Sequence, residues 1–177
     1  MALYGEQVII NLVDQNKYEG KLEEKFKGLV NNLNQTDVHY EAFDFHKECS
    51  KMRYERLARL RDQLANYDFG YFHKKKSVVG SNQKGVFRTN CMDCLDRTNV
   101  VQAYMNKDAL ADILSTLGIL RNNSIAELEE NEAFLKTYRN SWADHGNLIS
   151  IQYAGTGALK TDYTRTGVRT HYGALQV

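Results

Sequence analysis

At 177 residues the chain has the length of one ordinary domain, with 42% hydrophobic and 25% charged residues, a globular rather than a disordered composition. A net charge of +1 gives no global attraction to nucleic acid. Three cysteines, at 49, 91 and 94, make no disulfide framework and point to a reducing compartment where thiols stay available for chemistry. No apolar run reaches the length of a membrane span, and residues 1–10 lack the pattern of a signal peptide, so the covered chain is expected to be cytosolic.

Taken in chain order, Val8 to Val13 is a short apolar run rich in β-branched residues and predicts a buried strand. Leu22, Phe26, Leu29, Val30 and Leu33 follow at helical spacing, with a turn-rich exit over 31–35. Val38, Tyr40 and Phe43-Asp44-Phe45 alternate as a second strand. Between Cys49 and Tyr67, Leu57, Leu60 and Leu64 line one helix face, with Arg53, Arg56, Arg59 and Arg61 on its wet side. Asp68 to His73 reads as extended, and Lys74-Lys75-Lys76 opens a polar loop running through Gly80, Ser81 and Asn82. Such charge runs are usually solvated; contact with an anionic membrane or with inositol phosphates is the functional alternative.

Val86-Phe87, within Gly85 to Asn90, predicts a short buried strand. After Arg97 a helix is expected, capped by Thr98 or Asn99, with Val101, Tyr104, Leu110, Ile113 and Leu117 on its apolar side and Gly118 ending it. Ser124 with Glu127 forms a capping box for a further helix through Leu128, Leu135 and Tyr138 towards Trp142. Ile149 to Tyr153 reads as a strand, and the tail is Gly-, Thr- and Arg-rich. Tyr138, Trp142 and Tyr153 are expected to pack, and His46 to pair with Asp44. The alternation predicts a single α/β domain over 1–177, with a central mixed sheet flanked by helices.

The segment Arg88-Thr89-Asn90-Cys91-Met92-Asp93-Cys94-Leu95-Asp96-Arg97-Thr98-Asn99 carries the chemistry. It contains Cys-x5-Arg followed by Thr, between a predicted strand and a predicted helix. A loop wrapped at a helix N-terminus turns backbone N–H groups inward and adds partial positive charge, which suits a phosphate and lowers the pKa of a cysteine placed there. In this reading Cys91 is the nucleophile. Arg97 holds phosphate oxygens with its planar fork, and Thr98 assists the leaving thiolate. Two other readings of Cys91 and Cys94 stand beside it. One is a Cys-x-x-Cys redox site, disfavoured because the chain has no proline. The other is a zinc half-site, for which Cys49, His46 and His73 are the loose further ligands.

The twelve-residue string resembles the catalytic signature of the Sac-domain phosphoinositide phosphatases. Tyr4 to Val13, Phe43 to Cys49 and Ile151 to Asp162 are similar to the same family, in the same order. The resemblance implies that Cys91 is the nucleophile, Arg97 the phosphate-binding arginine and Asp93 a loop acid, either a proton donor or a structural turn residue. Met92, Cys94, Leu95, Asp96 and Arg97 then line the substrate, with Lys160 and Arg165 (and Arg169) either closing over it or remaining surface cations.

The expected substrate is a mono- or bisphosphorylated inositol lipid, such as phosphatidylinositol 4-phosphate or 3-phosphate. It would be hydrolysed without cofactor, metal or nucleic acid at the cytosolic face of an intracellular membrane, the endoplasmic reticulum or Golgi. The alternatives are an inactive phosphoinositide-binding module and a cysteine phosphatase for phosphoproteins or soluble inositol phosphates. By the same resemblance the chain corresponds to the later part of the catalytic domain, with the family's N-terminal domain and membrane anchor outside it.

Overall fold

The computed structural model describes residues 4–71, 73–75, 78–81, 83–121, 125–159 and 161–166. They fall into two compact units, residues 1–93 and 94–177.

The first unit is built on a parallel three-stranded sheet in the order β2-β1-β5. β1 is Glu6–Asn11, β2 Val38–Ala42 and β5 Gly85–Asn90. Ile9 lies opposite Tyr40 on one side and Arg88 on the other. A central parallel strand is covered on both faces and therefore reads as a continuous apolar run. Val8, Ile9 and Ile10 are buried accordingly, and Leu12 and Val13 continue the core past the strand. The strand ends are tied together by backbone bonds, from Phe43 N–H to the Asn11 carbonyl (2.9 Å) and from Leu12 N–H to the Asn90 carbonyl (2.8 Å).

α1 (Lys17–Asn32) connects β1 to β2 and packs Phe26 edge-on to Tyr40, with ring centroids 5.9 Å apart. Phe43-Asp44-Phe45 does not extend β2. Asp44 instead caps α2 (Phe45–Glu48), accepting from Lys47 N–H at 3.0 Å. The helix expected over 49–67 is shortened to α3 (Leu57–Leu64), which buries Leu57, Leu60 and Leu64. The stretch before it is two 3-10 turns, because Lys51 and Met52 take left-handed φ values of 57° and 60° that an α-helix cannot hold.

Lys74 and Lys75 lie in a strand rather than a loop. β3 (His73–Lys75) and β4 (Val78–Ser81) form a separate antiparallel ribbon, and Lys76 and Asn82 are outside the described residues. The sheet expected to be mixed is thus one parallel sheet and one ribbon. β5 is where Val86-Phe87 predicts it, but Phe87 is exposed rather than buried.

The second unit is helical: α4 (Asp96–Thr116), α5 (Ile125–Glu130), α6 (Glu132–Ala154) and α7 (Thr161–Thr166). Ala111, Leu120 and Leu128 form its core, with Leu114, Ile125 and Phe134 against them. The helix expected from 124 to Trp142 is two, since Asn131 breaks it and caps α6 by accepting from Phe134 N–H at 3.0 Å; Ser124 is outside the described residues. Gly118 and Gly155, at φ 73° and 75°, end α4 and α6 in the left-handed region that only glycine enters cheaply.

Ile149 to Tyr153 is not a strand but the last turns of α6. Its large apolar residues alternate, yet Ile151 and Tyr153 face solvent, and Tyr153 at 70% exposure packs against little. The buried face of α6 is instead Ala143, Gly146 and Ser150, small residues at helical spacing that no hydrophobic count registers.

Candidate active site

Cys91, Met92 and Asp93 close the first unit, and Cys94, Leu95, Asp96, Arg97 and Thr98 open the second. On the first side, β5 delivers Asn90 and Cys91 at the C-terminal edge of the parallel sheet. The edge is crossed by a chain of side-chain hydrogen bonds. Asn90 Nδ2 donates to Asn11 Oδ1 (2.5 Å), Asn11 Nδ2 to the Tyr40 hydroxyl (2.7 Å), and Tyr40 in turn to Glu23 Oε1 (3.2 Å). Burial, reinforced by the Glu23 charge and opposed by the Asn11 bond, pushes the Tyr40 phenol up to about 12. It is therefore a fixed neutral link in that chain. Asn90 Oδ1 is buried without a hydrogen-bond partner among the described residues.

Cys91 is 8% exposed and its thiol donates to Asp93 Oδ1 at 3.4 Å. Met92 and Asp93 are exposed.

On the second side, Cys94 takes a left-handed φ of 56° and Leu95 is the N-cap of α4. The helix begins at Asp96, so Thr98 and Asn99 lie within its first turn and do not cap it. Arg97, Thr98 and Asn99 are all buried. Asn99 Nδ2 donates to the Trp142 carbonyl (3.0 Å), and His145 Nδ1 lies 2.9 Å from Asn99 Oδ1. Because the amide NH2 is used on a carbonyl, its oxygen faces the imidazole, and His145 carries its proton on Nδ1. A methyl group on Gly146 would stand 2.9 Å from Asn99 Nδ2, so the missing side chain makes the seat for the amide. One turn along, the Tyr138 hydroxyl donates to the Ala103 carbonyl at 2.6 Å; burial raises its pKa well above that of an ordinary tyrosine.

Of the other expected residues, Arg165 on α7 donates to Asn140 Oδ1 (3.2 Å) and pairs with Asp144 (2.5 Å), while Lys160 and Arg169 are outside the described residues. His46 does not pair with Asp44, whose carboxylate is occupied by the N–H groups of Lys47 and Gln15; its partner is Asp14, at 2.7 Å. Arg59 and Arg56 reach Glu48, and Arg53 bonds back to Ser50. Among the described residues no three His, Cys, Asp or Glu side chains gather as metal ligands. The sequence reading missed Asn11, Tyr40, His145 and Gly146. A polar Asn ending an Ile-Ile strand, and a glycine inside a 23-residue helix, were the signals available for two of them.

A parallel α/β unit followed by a helical one, joined through a cysteine-bearing segment, defines the class. Sequence comparison names the family. Residues 1–50 match the model of the SacI homology domain. The chain is similar over 99% of its length to phosphatidylinositol-3-phosphatase SAC1-A of Danio rerio (49% identical) and to SAC1 of Drosophila melanogaster (48%). Over 98% of its length it is similar to SAC1 of Saccharomyces cerevisiae (43%). The chain belongs to the SacI homology family. It spans 30%, 30% and 29% of those three relatives.

Proposed function

We propose that the chain is the reactive part of a phosphoinositide phosphatase that removes a phosphomonoester from an inositol lipid through a phosphocysteine. The observation that carries this reading is the contact between the buried Cys91 sulfur and the Asp93 carboxyl. The reaction needs a nucleophilic sulfur and a group that passes a proton to the leaving oxygen, and this contact puts a carboxyl beside the sulfur. The names of the relatives supply the substrate class.

In the first step the Cys91 thiolate attacks phosphorus. The S–P bond forms, the bond from phosphorus to the inositol oxygen breaks, and that oxygen takes the proton of Asp93. In the second step Asp93, now a carboxylate, accepts a proton from water as the water oxygen attacks phosphorus. The S–P bond breaks, inorganic phosphate leaves, and thiolate and acid are restored. One water is consumed per phosphate released. Arg97 holds two phosphoryl oxygens and offsets the charge that builds on them, and Thr98 stabilises the departing thiolate by a hydrogen bond.

In the same reading Met92, Cys94, Leu95, Asp96, Lys160 and Arg165 are the side chains assigned to substrate binding, by resemblance to the family. No helix among the described residues is long and apolar enough to cross a membrane. The substrate is met at the cytosolic face of an intracellular membrane.

The test is phosphate release by the full chain from short-chain phosphatidylinositol 3- and 4-phosphate, from soluble inositol phosphates and from a phosphotyrosine peptide. The expected result is turnover of the lipids, with Cys91→Ser reduced to background at unchanged circular dichroism. Turnover that survives Cys91→Ser would overturn the mechanism, and turnover of the peptide alone would overturn the substrate class.

A further inference from the structure

The geometry points to Asn99 as a positioning residue, held by Trp142 and His145 above Gly146, that sets the rotation of the first turn of α4 and so the direction in which Arg97 and Thr98 project. The inference rests on the phosphatase reading and extends it to residues outside the Cys-x5-Arg run.

Three observations carry it. First, the α4 N-terminus holds no side-chain cap of its own, since Leu95 stands at the N-cap and has none to give. Contacts other than an N-cap side chain therefore position the turn that bears Arg97. Second, Asn99 is two residues from Arg97 and adjacent to Thr98, its own N–H bonded to the Leu95 carbonyl at 3.0 Å, so whatever fixes its side chain fixes that turn. Third, both ends of the amide are engaged in opposite senses, as donor to a carbonyl at 3.0 Å and acceptor from an imidazole at 2.9 Å. Such a pairing tolerates neither a flipped amide nor a shift along the helix. Gly146 makes the close approach possible, because a Cβ there would stand 2.9 Å from the amide nitrogen.

A helix-packing bond of no catalytic consequence would look similar, and the molecule contains its own control. Tyr138 to the Ala103 carbonyl joins the same two helices at 2.6 Å, but six residues beyond Arg97. Removing either bond loosens α4 against α6, but of the two the Asn99 bond is the one made from the first turn.

The experiment measures kcat and KM for short-chain phosphatidylinositol 4-phosphate in the full chain, beside the melting temperature, for Asn99→Ala, Tyr138→Phe, His145→Leu and His145→Asn. A misplacement of about 1 Å at a reacting group costs on the order of 100-fold in rate. Asn99→Ala is therefore expected to lose about 30- to 100-fold in kcat/KM, and Tyr138→Phe less than about 3-fold at a comparable melting temperature. His145→Asn, which restores an N–H near the Nδ1 position, should recover most of what His145→Leu loses. Equal losses in Asn99→Ala and Tyr138→Phe, or no difference between the two His145 variants, would overturn the positioning role. That outcome with Cys91→Ser inactive leaves the phosphatase reading intact, whereas an active Cys91→Ser removes the reading itself.

Discussion

The two units solve the same packing problem with different materials. In the first, the fully buried side chains are large aliphatics, Val8, Ile10, Leu12, Leu57 and Leu60 among them. Among the described residues of the second only Val101 is of that kind, and the buried face of α6 is Ala143, Gly146 and Ser150. Small residues bury little apolar area but let another backbone or a polar side chain come close. The helical unit therefore relies more on directed bonds, Asn99 to Trp142 and Tyr138 to Ala103, than on the mass of its core. A core of branched aliphatics resists deformation everywhere, whereas a bonded helix pair is held at points. A point of attachment beside a functional turn can control it.

The comparison is broken or sharpened by three substitutions away from the reactive segment. The largest effect is expected for Ile10→Ala, in the centre of the sheet with no exposed surface, at about 4 kcal/mol by denaturant unfolding. A loss below about 1.5 kcal/mol would mean that the sheet core is not what holds the first unit. Next is Asn131→Ala, which deletes the side-chain acceptor at the start of α6 and should cost about 1 kcal/mol, read in the same titration. If it costs nothing, directed bonds are not what the helical unit depends on.

The smallest effect concerns pH. The Tyr40 phenol has a folded pKa of about 12, above its ordinary value of 10, so the folded state holds that proton more tightly than the unfolded state does. The associated stability is complete below pH 10 and is lost as pH rises through 12. Unfolding midpoints followed over that interval should fall less steeply in Tyr40→Phe than in the parent. Identical slopes would show that the Asn11–Tyr40–Glu23 chain is not coupled to folding.

Large apolar residues at strong periodicity were legible before any coordinates: β1, α1, α3, β5 and α4 lie close to where their residues predict them. Failures came where the local signal was carried by something other than hydrophobicity. The alternating Ile149, Ile151 and Tyr153 imitated a strand because the helix they belong to buries its small residues instead. Thr98 and Asn99 have the chemistry of caps, but the helix starts two residues before Thr98 and turns them inward. His46 and Asp44 are near neighbours in the chain, yet capping claimed the carboxylate and left the imidazole to Asp14, 32 residues away.

What the order of amino acids determined by itself is the Cys-x5-Arg spacing of Cys91 and Arg97, an acid two residues from that cysteine, and enough aliphatic pattern for an α/β layer. These follow from local composition and spacing, which act over a few residues. What only the tertiary structure decided is which polar groups meet across long separations, Asn11 with Tyr40 and Asn90, and Asn99 with Trp142 and His145. Hydrogen bonds are short and directional, so their partners are chosen by how the backbone brings distant segments together, and no periodicity in the chain encodes that choice.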